Sequence, residues 1–365
     1  MRQILLASLL VLPLGVAAAE APSPDATARF LAGMPAPPGA MLARLETDPA
    51  WKQHAGAFTA AFRTVETRQL GKIRAWSQAN LTARRGTVYY LFSGPDFLYA
   101  DSFFPDASTY VLAGLEPVGS VPDPAKLPRG SLASVTRSLR TSLHTVLNFS
   151  FFRTLSMRDD LRASPATGTL PVLYVFLARA GKTIRGVEFV HLDPQGTLNA
   201  GAAAAGAGTP GVRITFARPG GPDQTLYYFS ANLDNDGFPK SGLAPFCERL
   251  GIGDGLVKSA SYLMHDGHFS EVRRFLLRQT STLLQDDTGV PAAMFGPEWE
   301  LRPYGRYTGP IGLFAGRYQP RLAELFRRQP PRPLGFGIGY RYRPDESSLI
   351  LATKREAQVL RPTLE

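Results

Sequence analysis

Two short polar segments hold side chains suited to acid–base or metal chemistry. His265 and His268 are three residues apart with Asp266 between them, and one further ligand would make a zinc site plausible. Asp286 and Asp287 are adjacent carboxylates, which suit a bound cation or an acid and base pair. No third metal ligand stands nearby, and helix-entry turns are rich in such residues, so solvated turns are the alternative. We therefore predict no cofactor and leave a divalent metal open.

A second candidate site is the turn that follows the apolar run at residues 87–92. Ser93 would serve a hydrolase as nucleophile, activated by His265 or His268, and Asp96 follows it by three residues. The Gly-X-Ser-X-Gly signature of a nucleophile elbow is absent. A plain Ser-Gly-Pro-Asp turn is therefore the competing interpretation.

Glu116 completes a pattern that imitates a nucleotide-binding opening. A strand, a turn with Gly94 and a helix precede a second strand that ends in this acidic residue. The turn has one glycine where the dinucleotide fingerprint has three, and Pro95 removes an amide donor. We therefore predict the strand–helix–strand topology but no nucleotide cofactor. Gly94 and Glu116 remain candidates for binding a small ligand, and Lys258, just upstream of the histidines, is added to them.

Aromatic and arginine residues are dense in the C-terminal quarter of the chain. Tyr304, Arg306 and Tyr307 lie within four positions. Aromatic faces and guanidinium groups suit sugars and anionic groups, so these three residues are further ligand-binding candidates. Strand packing with an exposed arginine is the alternative.

The elements that position Ser93 and Glu116 are the best defined. Residues 87–92 and 109–116 have strand composition, and residues 97–104 between them suit a short helix stopped by Pro105. This order favours a parallel pair of strands joined by a crossover.

The remaining elements follow from the periodicity of apolar residues. Together they predict an α/β fold with a mainly parallel, Rossmann-like sheet flanked by helices. The predicted strands are residues 172–178, 184–192, 212–217 and 225–230. Residues 48–80 are predicted as one long helix or as two short ones broken near Gly71, and further helices are predicted at 131–163, 243–250 and 269–284. A C-terminal β-hairpin comprises 336–342 and 348–354.

The N-terminus predicts export from a bacterial cell. Arg2, the apolar run at residues 4–16 and the small residues up to Ala19 are arranged as in a secretory signal peptide that is cleaved near Ala19. No later segment approaches the roughly 20 apolar residues of a membrane helix. We expect a periplasmic or secreted protein with no membrane span.

Three segments describe the predicted domain organisation. A signal peptide at residues 1–19 precedes an N-terminal extension at 20–46 and a single large α/β domain at 47–365. Residues 199–211 are almost entirely Gly and Ala, so we expect a surface loop there and not a domain boundary.

Composition limits the partners of the chain. The formal charge of +10 comes mostly from arginine, and a basic surface would draw the protein towards anionic envelope polymers. No nucleic-acid-binding pattern is visible, so nucleic acid is not expected as a partner.

Cys247 is the only cysteine, so the chain folds without an intrachain disulfide, and its apolar neighbours predict a buried side chain.

Four segments resemble those of an uncharacterised family of exported bacterial proteins. They are Phe-Ser-Gly-Pro-Asp at 92–96, Gly-Leu-Glu-Pro-Val-Gly at 114–119, Lys-Ser-Ala-Ser-Tyr-Leu-Met-His at 258–265 and Leu-Gln-Asp-Asp-Thr-Gly at 284–289. The resemblance runs over most of the mature chain. It implies no activity, cofactor or residue role.

The function expected from these features is binding of a small or anionic carbohydrate-like ligand of the cell envelope. The predicted cleft lies at the strand ends near Ser93, Asp96 and Glu116. A serine- or metal-dependent hydrolase and a structural component of an envelope assembly are the alternatives. Binding is preferred because the sequence contains no complete catalytic motif.

Overall fold

A computed structural model describes most of the chain and leaves several predicted segments outside it. The predicted signal peptide, the end of the helix predicted at 131–163 and the middle of the Gly/Ala-rich loop lie outside the described residues. Within them, no helix is long and apolar enough to cross a membrane. The described residues are 21–36, 41–128, 130–151, 166–202, 208–330 and 332–355.

Ten strands in the described part of the chain form one mixed sheet. They are β1 (Thr87–Tyr90), β2 (Thr109–Gly114), β3 (Thr183–Leu192), β4 (Leu198–Ala200), β5 (Thr209–Ala217), β6 (Asp223–Ser230), β7 (Gly253–Val257), β8 (Thr280–Gln285), β9 (Trp299–Gly305) and β10 (Ser348–Lys354). Their order is β4-β3-β5-β6-β2-β1-β7-β8-β10-β9. The five central strands, from β6 to β8, are parallel.

The α/β class is confirmed, but the prediction of a mainly parallel, Rossmann-like sheet is wrong. Both flanks of the sheet are antiparallel, through the pairs of β3 with β4 and β5, of β5 with β6, and of β10 with β8 and β9. Short connections cause part of this. Between β5 and β6 the chain turns with a hydrogen bond of 2.9 Å from the Gly221 N–H to the Arg218 carbonyl, and so short a link cannot cross over the sheet.

Helices cover both faces of the sheet. They are α1 (Pro24–Leu31), α2 (Pro49–Val65), α3 (Gly71–Asn80), α4 (Phe97–Phe103), α5 (Ser131–Phe149), α6 (Leu170–Arg179), α7 (Leu243–Leu250), α8 (Ser270–Gln279) and α9 (Pro320–Arg328). A π-helical turn at Glu66–Leu70 joins α2 to α3, which agrees with the alternative of two helices broken near Gly71. Residues of α1 to α6 pack in one apolar core and residues of α7 and α8 in the other.

The central strand β1 is buried on both faces. Val88 and Tyr90 belong to the core under α1 to α6, whereas Tyr89 and Leu91 belong to the core under α7 and α8. This alternation has the period of two that a strand imposes. It explains why the sequence here is a continuous apolar run and why a strand followed by a crossover could be predicted.

Two of the predicted elements have a different secondary structure. Residues 172–178 are part of α6 and not a strand, because a short, wholly apolar run suits a buried helix equally well. The helix predicted at 269–284 ends at Gln279, and the chain continues as β8. The polar residues Thr280, Ser281 and Thr282 lie in β8. The sequence predicted a helix there because the helical spacing of apolar residues continues into this segment.

The predicted C-terminal β-hairpin is also wrong. Residues 336–342 are not a strand, and β10 pairs instead with β8 and β9. Glycine explains the difference. A Cβ on Gly337 would lie 1.5 Å from the Tyr342 carbonyl oxygen, so the segment folds closely on itself and does not extend.

Candidate ligand site at the carboxyl edge of the parallel strands

A cavity of about 170 Å³ lies where β1, β2, β6 and β7 end. It is called the switch-point cavity here, because β2 lies on one side of β1 and β7 on the other. Open α/β sheets bind ligands outside the carboxyl ends of their strands at such a point. The lining residues are Leu91, Phe92, Gly94, Gly114, Leu115, Glu116, Ala231, Asn232, Leu233, Ser259, Ala260, Ser261, Leu263 and Phe269.

Glu116 is the acidic side chain of this cavity and is only 8% exposed. Two glycines leave room for its carboxylate. A Cβ on Gly114 would lie 2.4 Å from Glu116 Oε2, and a Cβ on Gly94 would lie 3.5 Å from it. The Tyr228 hydroxyl donates to the Glu116 carbonyl at 2.8 Å and fixes the backbone here. The structure therefore brings the predicted residues Gly94 and Glu116 together.

The loop after β7 forms another wall and has an unusual backbone. Ser259, Ser261 and Tyr262 have φ values of 55°, 49° and 55°. This left-handed conformation costs a non-glycine residue about 1–2 kcal/mol. Three such residues within four positions need compensation from their surroundings, and strain of this kind clusters at ligand and active sites.

Side chains from the loop after β8 hold this strained backbone. The Ser259 N–H donates to Asp286 Oδ2 at 2.8 Å, and the Ala260 N–H donates to Thr288 Oγ1 at 2.7 Å. The Ser259 Oγ is buried and has no hydrogen-bond partner among the described residues. Buried hydroxyls without a partner are rare, and this one belongs to a residue that lines the cavity.

A buried ion pair connects the loops after β1 and β7. Lys258 Nζ lies 2.9 Å from Asp96 Oδ2, and both side chains are at most 2% exposed. Lys258 Nζ also donates to the Ser150 carbonyl and lies 4.2 Å from the centre of the Tyr99 ring. The Tyr90 hydroxyl donates to Asp96 at 3.0 Å. Burial raises the pKa of Asp96, and the Lys258 ammonium opposes this rise. Asp96 and Lys258 therefore position the cavity loops and are satisfied by protein groups.

Asp286 and Asp287 are buried, so the alternative of a solvated turn does not hold. The Tyr262 hydroxyl donates to Asp287 Oδ2 at 2.6 Å. Burial raises the pKa of Asp286. Burial, with the nearby charge of Asp286, raises the pKa of Asp287 to about 7. Both carboxyl groups therefore bind the strained loop. Asp286 accepts the hydrogen bond from the Ser259 N–H, and Asp287 accepts the one from the Tyr262 hydroxyl.

The two histidines have different surroundings. The His265 ring lies 5.1 Å from the Tyr262 ring, and burial, with the nearby Arg317, lowers its pKa to about 4. The His268 side chain is 88% exposed, and its Nδ1 lies 2.8 Å from Asp266 Oδ1. Nowhere in the described part of the chain do three His, Cys, Asp or Glu side chains form a group that could hold a metal ion.

Ser93 is buried in its turn and its hydroxyl bonds to the backbone. Its Oγ donates to the Gly94 carbonyl at 2.7 Å and lies 3.3 Å from the Ala113 carbonyl. No histidine is among its hydrogen-bond partners within the described ranges. This geometry agrees with the turn interpretation and does not present an activated nucleophile.

The structure separates the three aromatic and arginine candidates. Tyr304 is buried, and its hydroxyl donates to Asn80 Oδ1 at 2.9 Å. Arg306 and Tyr307 line a different cavity of about 450 Å³ beside α9. This cavity adjoins β9, which is four strands away from β1, or roughly 19 Å at the usual strand spacing.

Sequence reasoning missed three polar residues of the switch-point cavity. Asn232 follows the end of β6 by two positions, and Ser259 and Ser261 follow the end of β7. The strand β7 has the sequence Gly-Asp-Gly-Leu-Val, which lacks a strand-like composition. Polar residues directly after a buried strand indicate a site at the end of that strand. This signal was not available here because the sequence did not predict β7.

Comparisons with models of protein families, with curated proteins and with solved structures found no match to this chain. A function is therefore inferred from the cavity itself.

Proposed function

We propose that the switch-point cavity binds a small, uncharged, hydroxyl-rich ligand of the carbohydrate type. The observation that carries the proposal is the loop at residues 259–262, which has three left-handed non-glycine residues, two of which, Ser259 and Ser261, line the cavity. Backbone strain of this kind is retained where the surrounding structure holds a site in a fixed geometry.

The polar groups of the cavity favour a ligand that donates hydrogen bonds. Glu116 supplies a carboxylate, which only accepts hydrogen bonds when it is ionised, and Asn232 supplies an amide. Ser259 adds a hydroxyl without a partner among the described residues. Among the residues that the structure describes, the cavity lining contains one carboxylate and no cationic side chain. This charge disfavours an anionic ligand, so we narrow the expected class at this site to neutral sugars.

The apolar part of the cavity and its size suit a small ring. Phe92 and Phe269 lie with ring centres 6.2 Å apart and inclined by 55°. A volume of about 170 Å³ is below the range of roughly 300–1,000 Å³ that holds drug-sized ligands. A single sugar unit is therefore the appropriate size. The export predicted from residues 1–19 would bring this cavity into contact with envelope carbohydrates.

The test is a binding titration of the full chain with neutral sugars. D-glucose, D-galactose, D-mannose and N-acetylglucosamine are titrated by calorimetry, and thermal unfolding is followed in parallel. We expect at least one of them to bind and to stabilise the fold, by about 1.4 kcal/mol at ten times its Kd. Glu116→Gln removes the charge of the acceptor and is expected to weaken this binding by about tenfold or more.

Two further variants separate recognition from folding. Asn232 is exposed, so Asn232→Ala should leave the fold intact and still weaken binding. Glu248→Gln is the matched control, because Glu248 on α7 is an exposed glutamate paired with Arg278 of α8, and this variant should bind like the unmodified chain. Failure of all four sugars to bind, or full affinity in both Glu116→Gln and Asn232→Ala, would overturn the proposal.

A further inference from the structure

A second cavity beside α9 combines aromatic rings with arginines. It has a volume of about 450 Å³ and lies between β9, α9 and the segments that follow each of them. It is called the tyrosine–arginine pocket here. Its lining residues of interest are Arg306, Tyr307, Tyr318, Phe326, Arg327 and Arg332.

The charge of this pocket is positive. Within the described ranges, three arginines line it, and no Asp or Glu is among its lining residues. Arg306 and Arg327 form no ion pair with any described residue. On the same helix, Glu324 pairs with Arg321 at 3.1 Å and with Arg328. Glu324 is the acidic residue of α9, and it is already paired with Arg321 and Arg328. Arg327 therefore has no acidic partner on its own helix and can bind a ligand in the pocket.

Three aromatic rings form a rigid wall beside these charges. Tyr307 stacks on Tyr318 with ring centres 5.7 Å apart and an inclination of 27°, and Phe326 lies 6.2 Å from Tyr307. The Gln319 N–H donates to the Tyr307 hydroxyl at 2.9 Å and holds this ring in place. Tyr318 is 54% exposed, which is unusual for so large a ring. A ligand with a flat, partly apolar face would cover it.

Arg332 is already positioned, whereas Arg306 and Arg327 are available. The Arg332 guanidinium lies 5.7 Å from the centre of the Tyr304 ring, and its Nη1 donates to Gln329 at 2.9 Å. Its backbone carbonyl accepts a hydrogen bond of 2.7 Å from the Gly305 N–H of β9. A fixed arginine and two unpaired ones can together hold one carboxylate or phosphate through charge-assisted hydrogen bonds.

We propose that the tyrosine–arginine pocket binds a small anionic sugar, that is, a sugar ring carrying a carboxylate or a phosphate. The guanidinium groups of Arg306 and Arg327 bind the anionic group, and the stacked rings of Tyr307 and Tyr318 contact the face of the sugar. This site is independent of the switch-point cavity, since the two have no lining residue in common. Arg306 and Tyr307, two of the ligand-binding candidates predicted from the sequence, line this pocket.

The test titrates the full chain with charged and uncharged versions of one sugar. D-glucuronate and glucose 6-phosphate are compared with D-glucose and with inorganic phosphate at low salt. We expect the two anionic sugars to bind more tightly than inorganic phosphate, and raised salt to weaken their binding. The double variant Arg306→Gln/Arg327→Gln should lose about tenfold or more in affinity for them. Tyr318→Ala should lower the affinity for the sugars to that for inorganic phosphate.

The matched control is Arg63→Gln/Arg185→Gln, which removes the same charge at two exposed positions outside the pocket and leaves Glu324 paired with Arg321 and Arg328. Its affinity for the anionic sugars should stay within about twofold of the unmodified chain. Glu116→Gln should leave this binding unchanged, which distinguishes failure here from failure at the switch-point cavity. Equal losses in both double variants would show an unspecific effect of charge and overturn the proposal. Equal affinity for inorganic phosphate and glucose 6-phosphate would do the same.

Discussion

Asp287 is the residue whose burial has the clearest consequence for pH dependence. Its pKa is about 7 in the folded chain, against about 3.9 in an unfolded one. The folded state therefore binds a proton more tightly at this carboxyl. Its contribution to stability is fully present below about pH 4 and is lost as the pH rises towards 7. His54 and His265 act in the opposite direction, because burial lowers both of their pKa values to about 4.

Asp287→Asn is expected to remove this effect, together with the influence of Asp287 on the neighbouring carboxyl of Asp286. The free energy of unfolding of the unmodified chain, minus that of the variant, should fall by about 2 to 4 kcal/mol between pH 4 and pH 7. Denaturant unfolding at several pH values measures both. The two histidines are present in each protein and cancel in the difference. Asp236→Asn, at an exposed position, should stay within about 0.5 kcal/mol of the unmodified chain throughout. A flat difference for Asp287→Asn would show that its carboxyl is not held neutral by the fold.

At the scale of elements, the loop at residues 259–262 links the parallel core to the cavity. Ser259 and Ala260 both donate their backbone N–H groups to side chains of the loop after β8. Of these two residues, Ser259 has the left-handed conformation and Ala260 does not. The Ser259 hydroxyl has no partner in the part of the chain that the structure describes. The two neighbouring positions therefore separate backbone strain from backbone hydrogen bonding.

Ser259→Gly and Ala260→Gly are expected to have opposite effects on stability. Glycine tolerates the left-handed conformation, so Ser259→Gly should stabilise the fold by up to about 1 kcal/mol. Ala260→Gly relieves no strain, increases the freedom of the unfolded chain and removes a buried methyl group, so it should cost about 1 kcal/mol. Urea unfolding provides the measurement. If Ser259→Gly is the more destabilising change, the hydroxyl and not the strain determines this position.

The predictability of elements from sequence depended on their composition. The unit from β1 to β2 was confirmed because its strands are rich in Val and Tyr and a short helix separates them. The strand β7 was missed because Gly253 and Gly255 stand in it. Gly253 is required there, since a Cβ would lie 2.6 Å from the Tyr89 ring. Packing between strands distant in sequence placed Lys258 against Asp96, and no local pattern indicates such a contact.

On the scale of the whole molecule, the sheet has a parallel centre and antiparallel flanks. The centre follows from crossovers through helices, as β1 to β2 through α4 and β7 to β8 through α8 show. The flanks arise where the chain returns without such a helix, as from β5 to β6. Sequence periodicity gave most of the strands but not their directions, because direction depends on how long connections pack.

Amide hydrogen exchange should therefore differ sharply between the centre and the edge of the sheet. All residues of β7 are buried, as are three of the four residues of β1, and both strands have a neighbour on each side. Strand β4 has three residues, no buried side chain and one neighbour. Exchange in β1 and β7 requires sub-global opening, whereas fraying suffices in β4. We expect exchange in β4 to be faster by at least about a thousandfold, as a difference of about 4 kcal/mol in opening free energy implies. The seven-residue edge strand β9 is the internal control. It is paired along its whole length with β10, so its rate should lie between the two. Comparable protection in β4 and β1 would mean that the sheet opens only as one unit and that its edge is not a region of low local stability.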